Sequence, residues 1–409
     1  RKFIFMSATN PLWASAVLLT ERMVQPMDKP TVQDIFHRFY PAYLDQYSPS
    51  PVQAKVAHNI MNCKTGAYGA NVCVCEDCGF VQIHYNSCRN RCCPMCQAVP
   101  KEMWMDARRE DVLDAPYFHL VFTVPDILNP VIYSNQRLLY DALYHAASST
   151  ISELTADPKH LGAKVGYICI LHTWGSEMNF HPHIHTILLG GGLASNNQWK
   201  DNGENFFLPI RVISKMFRGK YLEELKRLWK EDKLVFHGTA EKFRNHYTFK
   251  ELLDSCYGMD WIPHCKKTFN GAQTVIKYLG KYTHRIAVSN HRIVRMDDDT
   301  VTFLVKDYRN EGQWKELTIS GVEFVRRFLM HVPPRRFVRI RHYGLLCSRT
   351  KSQKLTLCRN LLGCKKYLSK LRDMEMPEIL EHLYGIKVCV CKACGGHLGK
   401  PQMRMPLRC

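Results

Sequence analysis

Four histidines fall between Leu171 and His185, three of them in the run His181-Pro-His183-Ile-His185. On a β-strand alternate side chains share a face, so His183 and His185 project together while Ile184 packs on the other side. Two imidazoles placed in this way can share one divalent ion. The third ligand is expected from the neighbouring strand: His172 lies eleven residues before His183, across a hairpin connection made by Trp174-Gly-Ser-Glu-Met-Asn179. His181 competes for that place because it has the parity of His183, although Pro182 suggests that the regular ladder begins only after it. A second constellation is Tyr278-Leu-Gly-Lys-Tyr282. Residues four apart share a helical face, so both phenols can point at one place. Such a pair would serve equally well as core, but Lys277, Lys281, His284 and Arg285 surround it and suit the approach of a phosphate. A phenol with an unperturbed pKa of about 10 needs a nearby metal and cations to attack a phosphodiester at neutral pH.

The cysteines point to a different chemistry. Eighteen are present, and Cys75-x-x-Cys78 and Cys93-x-x-Cys96 are paired at metal-ligand spacing. Two such turns complete a tetrahedral zinc site, so Cys75, Cys78, Cys93 and Cys96 are expected to form the first one. His58, Cys63, Cys88 and Cys92 are candidates for a second, against the alternative of free thiols and a surface histidine. Cys391-x-x-Cys394 near the end lacks an obvious second half. Paired thiols in a large basic chain imply zinc and a reducing cytoplasm rather than disulfides. A zinc-dependent deaminase is disfavoured, because the His-x-Glu that its signature requires is absent.

These groups need elements to hold them. Thr31 to Ile60 reads as two helices around Ser48-Pro-Ser-Pro51, and Lys101 to about Asp114 as a polar helix. Tyr117 to Val124 reads as a strand, Pro130 to Ala156 as one helix, and Val165 to Thr173 with His183 to Leu189 as paired strands that Gly190-Gly-Gly192 ends. Helices are expected over Arg211 to Glu231, Gly271 to Arg285 and Val322 to His331, with a hairpin from Arg292 to Val305. The 409 residues suffice for several units. The expected division is an N-terminal extension at 1–30, a zinc-binding domain at 31–110, a catalytic domain at 111–310, a basic DNA-binding region at 311–372 and a tail at 373–409. The fold class is α+β. The chain begins at Arg1 rather than Met, and its first twenty-odd residues are read as upstream read-through without function. No apolar run is long enough to span a bilayer.

Lys and Arg number 56 against 37 acids, a formal charge of +19. From Phe324 to Arg372 there are 14 Lys and Arg and no Asp or Glu, so a phosphate-bearing partner is expected there. Arg326, Arg327, Arg335, Arg336, Arg339 and Arg341 are its candidate contacts.

The histidine–hydrophobic–histidine pattern followed by a tyrosine helix resembles the HUH endonucleases. Tyr85-x-Ser-Cys-Arg-Asn-Arg91, Cys93-Pro-x-Cys-Gln97, Leu171-His-Thr-Trp174, Asn179-Phe-His-Pro-His-Ile-His185, Tyr278-Leu-Gly-Lys-Tyr-Thr-His-Arg285 and Arg327-Phe-Leu-x-His331 resemble one branch more closely. That branch is the two-tyrosine rolling-circle transposases of insertion-sequence family ninety-one. The resemblance spans roughly Val32 to Leu368, with Cys92 standing where the pattern has histidine. It implies an antiparallel sheet with flanking helices, preceded by a zinc-binding module. It also implies Mg²⁺ or Mn²⁺ on His183, His185 and His172, and nucleophilic attack by Tyr278 and Tyr282 on single-stranded DNA at transposon ends and target. Lys281 and Arg285 would offset phosphate charge, and the product would be a 5′-phosphotyrosine. A plasmid relaxase or replication initiator is the alternative within this chemistry. Outside it stands an inactive zinc-dependent nucleic-acid-binding protein.

Overall fold

The computed structural model describes residues 29–202, 208–261, 264–269, 275, 280, 287–307 and 312–404. Its centre is an antiparallel sheet built on three strands, β3 (Tyr117–Thr123), β4 (Lys164–Trp174) and β5 (Phe180–Leu193). With β7 (His264–Phe269) and β11 (Ile340–Gly344) at the edges, the order is β11-β4-β5-β3-β7, and β6 (Trp199–Asp201) pairs with the end of β5.

Period-two alternation gives this sheet two different faces. Phe118, Leu120, Phe122, Tyr167, Cys169, Leu171, Ile184 and Leu188 turn to one side and are buried against α5 (Gln136–Ala156) and α6 (Ile210–Lys230). Those helices answer with stripes such as Leu139, Leu143 and Ile151, and Ile213, Phe217 and Leu225. The rings of Phe122 and Phe217 meet at 5.0 Å. The other face carries Ile168, Ile170, Ile187 and Leu189, packed with Met105 of α3 (Ala98–Arg109), with Val275, and with Leu355 and Cys358 of α9 (Lys351–Leu362).

Two expectations about these elements change. The helix expected over Pro130 to Ala156 is broken into α4 (Asn129–Ser134) and α5 at Asn135, whose side chain leaves the helical ladder. Its Nδ2 donates to the carbonyls of Val131 and Val235 and its Oδ1 accepts from the Val235 N–H, so it anchors a distant segment. Gly190-Gly-Gly192 does not end β5, which continues to Leu193. The glycines let neighbours close in: the Trp199 indole lies over Gly191, and the Lys164 carbonyl lies where a Gly192 Cβ would be.

A second core joins chain segments far apart in sequence. Helices α1 (Val32–Gln46) and α2 (Pro51–Met61) pack with α8 (Gly321–Met330) and with a three-stranded meander, β8 (Ile293–Met296), β9 (Thr300–Asp307) and β10 (Gln313–Ser320). Strand β10 escaped sequence analysis because its first four residues are exposed and polar or aromatic, with no alternation until Leu317. A third sheet, in the order β12-β1-β2, adds β12 (Gln402–Arg404) to the hairpin of β1 (Ala70–Val74) and β2 (Val81–Tyr85). Helix α10 (Met376–Tyr384) precedes that last strand.

Because the neighbour of Gly192 is backbone and cannot rotate away, Gly192→Ala is expected to cost about 1–3 kcal/mol. Gly175→Ala, where nothing lies within 4 Å, should stay within about 0.5 kcal/mol. Thermal unfolding of the two variants compares them, and equal midpoints would refute the close-packing reading.

Candidate metal centres

The β4–β5 ladder sets His172 directly opposite His183, with His185 two residues further along the same face. All three rings are buried. One nitrogen from each lies within 4.8 Å of the others, and Nε2 of His183 is 3.1 Å from Nε2 of His185. The tautomer of His183 is fixed: its Nδ1–H donates to the His181 carbonyl at 2.7 Å, which leaves the Nε2 lone pair turned inward. Nδ1 of His185 lies 2.9 Å from Nε2 of His119 on β3. Burial holds the pKa of His183 down to about 4 and that of His185 well below its usual value, the latter helped by His172, His183 and His119 nearby. At neutral pH His183 and His185 are uncharged donors, and with the His172 ring beside them they form a set that fits a cation.

His181 is not one of the three converging ligands, although its ring lies 5.2 Å from that of His183. Its Nδ1 lies 3.0 Å from Asp126 Oδ1. Tyr278, Tyr282, Lys281 and Arg285 lie outside the described residues. Of their neighbours, Val275 is buried on the histidine-bearing face of the sheet, and Gly280 abuts Met105 of α3 so closely that a methyl there would collide with its sulfur.

Three supporting residues were not singled out from sequence. His119 becomes visible only once β3 is known to pair with β5, Val121 opposite His185. Trp174 stacks on His172 at 4.5 Å. His331, in a motif quoted without a role, donates from Nε2 to the Met178 carbonyl at 2.9 Å and accepts at Nδ1 from Thr173 Oγ1 at 3.1 Å. Burial keeps it neutral, with its pKa near 4.

The thiols group differently from the sequence expectation. Cys93 and Cys96 gather with Cys63 and Cys88, whereas Cys75 and Cys78 gather with Cys391 and Cys394. The hairpin explains the correction. Cys63 and Cys88 flank its open end, where Ala70 pairs with Tyr85, and Cys75 and Cys78 sit beyond its turn end, where Val74 pairs with Val81. Five residues at about 3.4 Å each keep the two ends roughly 15 Å apart. Cys92 is not in either group; it is buried in the second core, and that burial pushes its thiol up to about 11. His58 is exposed on α2. In the first group Cys88 and Cys96 are 3.8 Å apart, and the sulfur of Cys96 is held far below the usual thiol range by Cys63, Cys88 and Cys93.

The basic block is less bare than its sequence suggests. Arg326 and Arg327 bind Glu323 at 2.6 and 2.7 Å, just outside the block. Arg341 pairs with Asp141, Lys351 lies 2.7 Å from Asp111, and Arg372 lies 2.7 Å from Glu110. Arg339 is buried beneath Trp174 and so is corrected from a surface contact to a structural residue. Arg335 and Arg336 are exposed and have no acidic partner among the described residues.

The regrouping makes a direct prediction about zinc content. Cys63→Ser is expected to lower the zinc bound per chain by one ion, and Cys92→Ser to leave it unchanged. Loss of an ion from the Cys92→Ser chain would restore the sequence-based grouping.

Comparison with known proteins agrees with this organisation. A family model described as "Transposase zinc-binding domain" matches residues 35–124, and one described as "Putative transposase" matches residues 166–354. The chain is 40% identical over 369 residues to "Putative transposase y4qJ" of Sinorhizobium fredii (strain NBRC 101917 / NGR234), covering 89% of this chain and 93% of that protein. It is 30% identical over 309 residues to "Transposase for insertion sequence element IS801" of Pseudomonas savastanoi pv. phaseolicola, covering 74% and 72%. Among solved structures, the conjugative relaxase TrwC in complex with oriT DNA aligns at 13% identity and a TM-score of 0.23, over 40% of this chain and 71% of that one. A superposition that loose carries no argument. The two transposases, matched over most of their length, and the zinc-binding domain at the N-terminal side place the chain in the IS91 family of insertion-sequence transposases.

Proposed function

We propose that this transposase nicks and rejoins single-stranded DNA by tyrosine transesterification, as an HUH endonuclease acting in rolling-circle transposition. The observation that carries this reading is the convergence of His172, His183 and His185 on the sheet face that also buries Val275, three residues before Tyr278. The donors are imidazole nitrogens with no carboxylate among them, a set that suits Mn²⁺ and the later first-row ions better than Mg²⁺. When bound, such an ion supplies Lewis-acid polarisation of a phosphate oxygen.

The remaining work falls to side chains of the protein. Tyr278 or Tyr282 supplies the attacking oxygen. Its bond to phosphorus forms as the bond from phosphorus to the 3′ oxygen breaks. The phenol loses its proton and the 3′ oxygen gains one, which leaves a 5′-phosphotyrosine and a free 3′-hydroxyl. One ester replaces another and no water is consumed, so the strand can be rejoined by the reverse step. A second tyrosine lets one site hold donor and target strands in turn. Lys281 and Arg285 offset charge on the reacting phosphate, and Arg335 and Arg336 are free to meet the backbone of the strand. Cys63, Cys88, Cys93 and Cys96 hold a structural zinc ion, which ties α2 and the β1–β2 hairpin to the second core.

Incubation of the purified chain with Mn²⁺ and single-stranded oligonucleotides copied from the ends of its own element should give an adduct stable to detergent. His183→Ala should abolish it while leaving DNA retention nearly intact. The double variant Tyr278→Phe and Tyr282→Phe should lose it completely, because Phe keeps the ring and removes the oxygen. An adduct that survives in the double variant refutes the assignment of the nucleophile, and none in the wild type favours a catalytically inactive DNA-binding protein. His119→Ala should weaken Mn²⁺ binding by roughly 10–100-fold in calorimetric titration, since it removes the group that orients His185.

A further inference from the structure

We propose that Cys75, Cys78, Cys391 and Cys394 bind a second zinc ion, in a site whose ligands come from opposite ends of the chain and whose closure fastens the tail to the N-terminal hairpin. The four thiols are within 4.8 Å of one another, with Cys75 3.5 Å from Cys394 and Cys78 3.8 Å from Cys391. Four sulfurs placed about 2.3 Å from a common tetrahedral centre are separated by roughly 3.8 Å. The spacing is therefore that of ligands around one ion.

The backbone repeats the same device on both sides. Cys75-Glu-Asp-Cys78-Gly79 and Cys391-Lys-Ala-Cys394-Gly395 are each closed by a left-handed glycine, with φ of 71° and 77°. In each, the glycine N–H donates to the carbonyl of the first cysteine at 3.0 Å. Each first cysteine in turn donates its own N–H just beyond that glycine, Cys75 to Phe80 at 2.9 Å and Cys391 to Gly396 at 2.8 Å. The N–H groups of Ala393 and Gly396 point at the sulfurs of Cys391 and Cys394, each at 3.4 Å. Two knuckles of the same construction, facing each other, make a closed four-thiolate cage.

The tail has little else to hold it. From residue 372 to 402 only Ile379, Cys391 and Leu398 are buried. The apolar cluster under the site contains just Cys73, Cys75, Cys391 and Leu398, with Phe80 at its edge. Three register pairs between β1 and β12, and bonds such as Glu76 N–H to the His397 carbonyl, are modest anchors. A segment with so small a core needs a staple, and a tetrathiolate zinc site is a common one.

The test uses the intact chain and does not depend on nuclease activity. Metal analysis should give two thiolate-held zinc ions per chain, besides any taken up by the histidine centre. Cys78, Cys394, Cys347 and Cys389 are all exposed. With iodoacetamide, Cys347 and Cys389 should be labelled at once, whereas Cys78 and Cys394 should resist until a strong chelator is added, as read by peptide mass spectrometry. The double variant Cys391→Ser and Cys394→Ser should retain one of these two ions and become sensitive to limited proteolysis between residues 372 and 390. Labelling of Cys78 and Cys394 as fast as Cys347 would overturn the proposal. So would a zinc content unchanged between the double variant and the wild type, or protection relieved by a reductant rather than by the chelator.

Discussion

The register of β4 against β5 is the constraint on which the histidine centre rests. Side chains alternate along a strand, so a slip of one residue would send His172 to the helix-covered face and bring Leu171 or Thr173 into its place. The connection between the strands is therefore held from outside. Arg292 donates to the Ser176 carbonyl at 2.6 Å, Arg327 to the Glu177 carbonyl at 2.9 Å, and His331 to the Met178 carbonyl at 2.9 Å. All three donors belong to the second core, made by the N-terminal helices, the meander and α8. That core thus acts as the jig that sets the register. At the opposite end of β5, glycines allow Trp199 and the Lys164 backbone to lock the same pairing.

Burial and hydrogen bonding then determine the chemistry of the rings. The imidazoles are buried on a face they share with Ile168, Ile170, Ile187 and Leu189, so protonation of His183 and His185 is disfavoured and their lone pairs stay available. The His181 carbonyl assigns the inward-facing nitrogen of His183, and the His119 imidazole holds the ring of His185 in place from its other side. Stacking of Trp174 on His172, with Arg339 above the indole, limits the third ring. The positive charge of Arg339 is thereby committed to structure.

What could be read from the sequence follows from the range of the forces involved. His183 and His185 were legible because strand parity is local, and His172 because a short hairpin brings it back within eleven residues. His119 was not, since a lone histidine in Tyr117-Phe-His119 carries no signal until β3 and β5 are paired. Counting cysteines along the chain joined Cys75 and Cys78 to Cys93 and Cys96 because these are nearest in sequence, yet the β1–β2 hairpin holds them apart and gives each pair another partner. The basic block read as unneutralised because its acids, Glu110, Asp111 and Asp141, are on α5 or beside α3, more than a hundred residues away. Linear charge patterning has no access to such pairs.

The pairing of β12 with β1 also sets an order of events during synthesis. Strand β1 and its hairpin leave the ribosome early, but 313 residues separate Cys78 from Cys391. At ~5–20 residues per second, roughly 15 to 60 s pass before the partner strand exists. Throughout that interval the outer edge of β1 and two thiols are open, whereas the Cys63 group, complete by Cys96, has all its members from the start. A chain that stops short of residue 391 leaves this sheet edge unpaired, a template on which a strand of another chain can add. Residues 391 to 404 thus close a sheet that the chain has had to leave open for about three hundred residues.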